Sequence, residues 1–237
     1  MTATMDPGIT FDEIRRRLAG LGLAWRGAFH PQPADGVPAL ADGGSAGTLI
    51  LLGWTGGAHW PAFAASPEAA DGRPDPLDRW SRRVIGALAE ALGGQALFPF
   101  EGPPFLPFQR WAKRAEPVFE TPLGLLIHPG WGLWHSYRGA VCLPGLLDLP
   151  PAEAAPSPCE SCAAKPCLTA CPVGAFTAGG YNVDACAAHL RSPAGADCRE
   201  RGCLARRACP VGREHAHGAD AAGFYMAAFV ERRGKKS

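Results

Sequence analysis

The sequence has little net charge and no long apolar segment. Its formal net charge is +1 over 237 residues, so there is no general electrostatic reason to expect nucleic acid or an anionic membrane surface as a partner. The longest apolar run, TLILLGW at 48–54, is far shorter than the about 20 residues that cross a bilayer. No signal-peptide pattern opens the chain. We therefore expect a cytoplasmic protein with no membrane association and no nucleic-acid partner.

Cysteine is absent from residues 1–141, and all nine cysteines lie between positions 142 and 209. The proline-rich stretch LPPAEAAPSP at 149–158 separates these two parts and is typical of a linker. We predict a domain of residues 1–150 that binds a cofactor or a partner. We predict a second, cysteine-rich domain of residues 151–237 that ends in a helix and a short basic tail. In the cytoplasm, clustered thiols are more often metal ligands than disulfides.

The first part of the chain mixes helix and strand patterns. Apolar residues recur at helical spacing from Phe11 to Leu21 and again from Leu77 to Leu92, where Asp75 is the expected N-cap. The apolar runs at 47–54 and 121–128 predict buried strands, and the aromatic-rich stretch at 130–139 predicts a hairpin. The pattern predicts an α+β protein whose N-terminal domain is α/β.

The cysteines form two sets that both end in Cys-Pro-Val-Gly. The first set, CESCAAKPCLTACP, has spacings of two, four and three residues, close to the two, two and three of the bacterial ferredoxin run. In two-cluster ferredoxins the cysteine before the proline binds the other cluster. We therefore predict two [4Fe-4S] clusters with exchanged ligands. One is bound by Cys159, Cys162, Cys167 and Cys209, and the other by Cys171, Cys186, Cys198 and Cys203.

Structural zinc is the alternative for these thiols. Zinc sites usually present two separate C-x2-C pairs, whereas the chain has one, at Cys159 and Cys162, which favours iron–sulfur clusters. Cys142 is left over among apolar neighbours and is expected to be a small buried side chain. His215 and His217 are expected to be exposed and not to be ligands.

The segment CPVGAF at 171–176, followed by YNVDACAAHL at 181–190, resembles the epoxyqueuosine reductase family, whose relatives include the reductive dehalogenases. The stretches at 11–29, 47–54 and 101–141 are similar to it more weakly. The resemblance implies a cobalamin-reductase-like α/β domain followed by a small, loop-rich, ferredoxin-like dicluster module. It also implies cobalamin as a further cofactor, and places Glu101 at the position of the family's catalytic aspartate, as a general acid. Nothing after the cysteines resembles the family's tRNA-binding repeats, so a tRNA substrate is not expected.

Three functional hypotheses follow from the residues and the resemblance. The first is a redox protein that takes low-potential electrons singly from a ferredoxin- or flavodoxin-type donor, through two clusters, to a corrinoid acting on a small molecule. The second is a non-catalytic electron carrier whose N-terminal domain docks a partner enzyme. The third is a zinc-stapled interaction protein.

Overall fold

A computed structural model describes residues 9–151, 153–177 and 179–234. The α-helices, in chain order, are α1 Phe11–Gly20, α2 Trp60–Ala64, α3 Pro67–Ala70, α4 Pro76–Ala91, α5 Phe108–Ala115, α6 Pro158–Ser161, α7 Pro166–Thr169, α8 Val183–Arg191, α9 Ala196–Arg201, α10 Leu204–Ala208 and α11 Ala219–Gly234. The strands are β1 Ala24–Phe29, β2 Thr48–Thr55, β3 Gln95–Leu97, β4 Phe119–Glu120, β5 Leu126–Ile127, β6 His135–Leu143, β7 Phe176–Thr177 and β8 Gly180–Tyr181. Single 3₁₀ turns occupy Pro33–Asp35, Gly57–His59, Pro193–Gly195 and Arg213–His215. The fold is therefore mixed α/β.

The chain divides into two units that are interleaved in sequence. The first comprises the described residues up to Thr55, with His59–Pro117 and Ser136–Ala154. The second comprises Gly56–Ala58, Val118–His135 and the described residues from Ala155 onward. A single cut near residue 150 therefore does not reproduce the division, because two earlier segments belong with the cysteine-rich part. The basic tail predicted at the C-terminus lies partly outside the described residues.

The first unit is built on a four-stranded sheet in the order β1-β2-β6-β3. Strands β1 and β2 pair antiparallel, as do β3 and β6. Leu49, Ile50, Leu51 and Leu52 of β2 are at most 1% exposed, as the predicted buried strand requires. Helix α1 packs on β1, α5 on β1 and β2, and α4 on β3. The unit's apolar core thus surrounds a central strand buried on both faces.

Both helices predicted in the first unit are present. The helix predicted from Leu77 to Leu92 is α4, and its buried face includes Trp80, Ile85 and Leu88. Asp75 is at the N-cap position, but its backbone is left-handed (φ 50°) and its side chain makes no capping hydrogen bond. The role predicted for the Asp75 side chain is therefore wrong.

The strand predicted at 121–128 is largely a turn. The Thr121 N–H and hydroxyl both donate to the Leu125 carbonyl, at 3.1 and 2.8 Å, and Gly124 is left-handed (φ 71°). Only Leu126–Ile127 forms a strand, paired antiparallel with Phe119–Glu120. The apolar run predicted a strand, but Pro122 and Gly124 favour a turn over β-strand pairing.

The second unit consists of short elements and one helix of 16 residues, α11, around a small apolar core. Helix α11 packs on α9 and α8, and α10 packs on α7. The core contains Leu123, Ile127, Leu133, Ala205 and Cys209, with several other cysteines packed against it. Cysteine side chains therefore border the apolar core of this unit. Among the helices of the described residues, none combines the length and apolar character needed to cross a membrane.

Candidate functional site

The second unit contains two pockets, each lined by four cysteines. The first pocket has about 340 Å³ of empty space, open solvent included, and its cysteines are Cys159, Cys162, Cys167 and Cys209. The second has about 320 Å³, open solvent included, and its cysteines are Cys171, Cys186, Cys198 and Cys203. These are the two groups into which the sequence pattern sorts the cysteines, including the exchange of Cys171 and Cys209.

Proline-initiated helical turns position the cysteines of the first pocket. Pro158 begins α6, which carries Cys159, and Pro166 begins α7, which carries Cys167. Proline suits the first helical position because its fixed φ is helical and it has no N–H to leave unbonded. Cys209 follows α10 and is 8% exposed. Burial, and then the neighbouring sulfur of Cys209, raise the pKa of the Cys159 thiol.

Two capped or anchored helices bring the cysteines of the second pocket together. The Asn182 side chain accepts a hydrogen bond from the Ala185 N–H at 3.0 Å and so caps α8, which carries Cys186. Arg199 of α9 donates to the carbonyls of Leu190 and Ser192 at 2.6 and 3.0 Å, which fixes the helix that carries Cys198.

Helix α10 is flanked in sequence by one cysteine from each pocket. Cys203 is its N-cap and lines the second pocket, while Cys209 is its C-cap and lines the first. Ala205 lines the second pocket and packs in the core with Cys209. A single helix of five residues therefore connects the two pockets within one unit, and it places Cys209 of the second run in the first pocket.

Backbone amides lie near the sulfur atoms of the second pocket. The Ala175 N–H donates to Cys171 Sγ at 3.4 Å. Burial raises the pKa of the Cys203 thiol, and the N–H groups of Arg206 and Ala205 oppose that increase. Amides in this position stabilise charged sulfur, because hydrogen bonds to thiolate favour its ionised form. Although four cysteines line each pocket, no group of three or more His, Cys, Asp or Glu side chains among the described residues is placed to hold a single metal ion.

Glu101 does not lie in an enclosed setting. Its side chain is 46% exposed and forms an ion pair with Arg82 at 3.2 Å. The predicted role requires Glu101 to lie in a cofactor pocket, and a half-exposed carboxylate paired with a surface guanidinium is not in one. The acid role of Glu101 stays a prediction.

The remaining predicted residues divide between agreement and correction. Cys142 is 1% exposed, as expected, and burial raises its pKa to about 12. The expectation that both histidines are exposed is wrong. The His215 ring lies 4.5 Å from Trp131, and the His217 ring lies against Trp134 and Tyr225 at 5.5 and 5.2 Å.

A buried charged group in the first unit was missed. Arg26 on β1 is fully buried and donates to both carboxylate oxygens of Glu116, at 3.3 and 2.6 Å. The Tyr137 hydroxyl donates to the same carboxylate. Burial raises the pKa of Glu116, and Arg26 opposes it. The single arginine in the strand AWRGAF is the one signal that the sequence offers, but its carboxylate partner, Glu116, is 90 residues away.

Comparisons with known proteins show a likeness of fold alone. No protein-family model matches the chain, and no curated protein matches it. A C. elegans B12-trafficking protein, CblC, is similar with a TM-score of 0.51 at 12% identity, over 92% of this chain and 95% of that one.

Two structures of epoxyqueuosine reductase are similar with TM-scores of 0.43 and 16% identity. One, from Streptococcus thermophilus, covers 73% of this chain and 51% of that one. The other, with a tRNA-Tyr stem loop, covers 93% and 65%. This chain thus spans about half the length of the Streptococcus reductase.

Proposed function

We propose that the chain is an iron–sulfur electron-transfer protein that holds one [4Fe-4S] cluster in each cysteine pocket. The observation that carries this proposal is the division of eight cysteines into two pockets of four, with Cys209 and Cys171 exchanged between the runs. Four cysteines are the ligand set of such a cluster, and the exchanged cysteine before proline is typical of two-cluster ferredoxins.

The chemistry of the donor set fits this cofactor. Burial and the neighbouring sulfur atoms raise the pKa of the Cys159 and Cys167 thiols. Closely spaced thiols resist ionising together unless a cation offsets their repulsion. Iron supplies that positive charge and takes cysteine as thiolate. A bound cluster would therefore supply the positive charge that lets these thiols ionise together.

The protein's own residues would hold and insulate these clusters. When bound, each cluster supplies one reversible one-electron step at a potential that its surroundings set. Ile127 and Val211 border the first pocket, while Leu190 and Met226 border the second. Apolar walls limit water, and amides such as that of Ala175 stabilise sulfur charge. The electron donor we propose is a ferredoxin- or flavodoxin-type protein.

Cobalamin is the acceptor implied by the family resemblance, and a fold like that of a B12-trafficking protein is the reason to test it. The charged groups buried in the first unit are engaged with one another. Arg26, Glu116 and Tyr137 form one group, and Arg138 bonds to Asp78 at 2.8 Å. The proposal assigns none of them to a corrinoid. A carrier that docks a partner enzyme is the second candidate.

A reductive titration of the full chain under argon tests the proposal. Two one-electron equivalents per chain are expected, since each cluster accepts about one electron in this potential range. Cys209→Ala and Cys171→Ala should each remove one signal in electron paramagnetic resonance (EPR), and the lost signals should differ. Cys142→Ala is the matched control and should accept both equivalents. A chain that accepts no electrons, or loses them in the control, contradicts the proposal.

Equilibrium dialysis with hydroxocobalamin then separates the two candidate functions. Binding of about one cobalamin per chain, followed by a bound Co(II) signal on reduction, would support the corrinoid enzyme. Reducible clusters without cobalamin binding would support the carrier.

A further inference from the structure

Arg206 lies on α10 between the cysteine caps of that helix. Its guanidinium donates to the Leu133 carbonyl, with Nε at 3.1 Å and a terminal nitrogen at 2.5 Å. Its carbon Cζ lies 4.5 Å above the Trp134 ring. Two hydrogen bonds to one carbonyl and a stacked indole hold the guanidinium in place without a counter-charge.

The surroundings of Arg206 are apolar and contain little negative charge. Among the described residues no carboxylate pairs with it, and burial lowers the pKa of the guanidinium. The titratable groups that face it are Tyr225 from α11, His217 from the preceding segment and the Cys203 thiol. Arg206 is half-buried, and its hydrogen bonds and the indole ring hold the guanidinium without neutralising its charge.

The neighbouring arginine on the same helix is different. Arg207 donates to the Asp197 carboxylate and to the Gly202 carbonyl. It is therefore already neutralised by a side chain of the unit. The contrast singles out Arg206 as the cation of α10 that has no carboxylate partner in the described part of the chain.

We propose that Arg206 is the counter-charge of the anionic cluster that the second cysteine pocket holds, and that it raises the reduction potential of that cluster. This inference rests on the proposed function. Each one-electron reduction adds one negative charge to the pocket, and a fixed cation three residues after Cys203 on the helix that Cys203 caps stabilises the more negative state. Arg206 thereby favours an electron in the second pocket over one in the first.

Potentiometric titration of the full chain, followed by EPR, tests the role of Arg206. In Arg206→Met the equilibrium constant for reducing the cluster bound by Cys203 should fall about tenfold, which is about 59 mV for a one-electron couple. The cluster bound by Cys159 should move less. Arg206→Lys keeps the charge and should stay near the wild-type potential. Arg207→Gln makes the same change in net charge and is the matched control.

The outcomes distinguish this inference from the proposed function. If the wild-type chain shows two reducible clusters and Arg206→Met shifts neither, or shifts both as Arg207→Gln does, the inference alone is overturned. Equal shifts in Arg206→Met and Arg206→Lys would also overturn it, because they would show a packing effect. A wild-type chain without two reducible clusters would overturn both proposals.

Discussion

Acidification should destabilise the second unit through His217. The imidazole stacks on Tyr225 with an interplanar angle of 26° and contacts the Trp134 ring edge-on. Burial, with some repulsion from Arg206, lowers the pKa of His217 from 6.5 to about 4. The neutral ring is therefore the form that the folded unit accepts.

The sign and size of the effect follow from linkage between protonation and folding. Above pH 6.5 both states are neutral at this group and its contribution is fully present. As the pH falls from 6.5 toward 4, the unfolded chain binds a proton that the folded chain does not, so stability is lost. At about 1.36 kcal/mol per unit, the loss is about 2 kcal/mol at pH 5 and about 3 kcal/mol when complete.

Urea denaturation under argon at pH 7.5 and pH 5 measures this loss. His217→Phe keeps an aromatic ring without a titrating group, so its free energy of unfolding should fall less between the two pH values than that of the wild type. The difference should be about 2 kcal/mol. His215→Phe removes another histidine of the same segment and is the control. Equal pH dependence in wild type and His217→Phe, or a directly titrated pKa near 6.5, would refute the reasoning.

Two further predictions concern stability. Glu68 binds Arg83 at 2.5 Å, and this hydrogen bond lowers the pKa of Glu68 to about 2. The pair's contribution to the free energy of unfolding is therefore present above pH 4.5 and is lost as the pH falls to about 2. Because Arg83 is 54% exposed, Glu68→Gln should lower the free energy of unfolding by about 1 kcal/mol at pH 7 and by little at pH 2.5, as measured by urea denaturation. An equal loss at the two pH values would contradict this prediction. Gly132→Ala should unfold at a lower temperature than Gly124→Ala, although both glycines are left-handed. The new Cβ at position 132 would lie 2.0 Å from the Val211 carbonyl oxygen, whereas the space at position 124 is open. Calorimetry that finds equal losses of unfolding free energy, about 1–2 kcal/mol in both variants, would contradict the clash.

Local patterns predicted the features that short stretches of sequence determine. Helical spacing located α1 and α4, and a continuous apolar run located β2. Cysteine spacing and the Cys-Pro endings group the thiols in the same way as the linings of the two pockets, and their assignment as cluster ligands stays a prediction. The segment at 121–128 was assigned wrongly because a turn residue, Gly124, outweighed apolar composition.

Contacts between distant segments could not be predicted. Arg26 and Glu116 are 90 residues apart, and Arg206 and Leu133 are 73 apart. No spacing rule links such positions, and a charged residue in an apolar stretch does not reveal which partner compensates it. The same holds for the contact between His217 and Trp134, which lie far apart in the sequence.

The central claim is that the two pockets each hold an iron–sulfur cluster. Its most direct test is the measurement of iron, acid-labile sulfide and zinc per chain in full-length protein purified without oxygen. We predict about eight iron and about eight sulfide per chain, with no stoichiometric zinc. About two zinc per chain without sulfide would contradict the claim and favour a zinc-stapled protein. About four iron would show that one of the two pockets does not build a cluster.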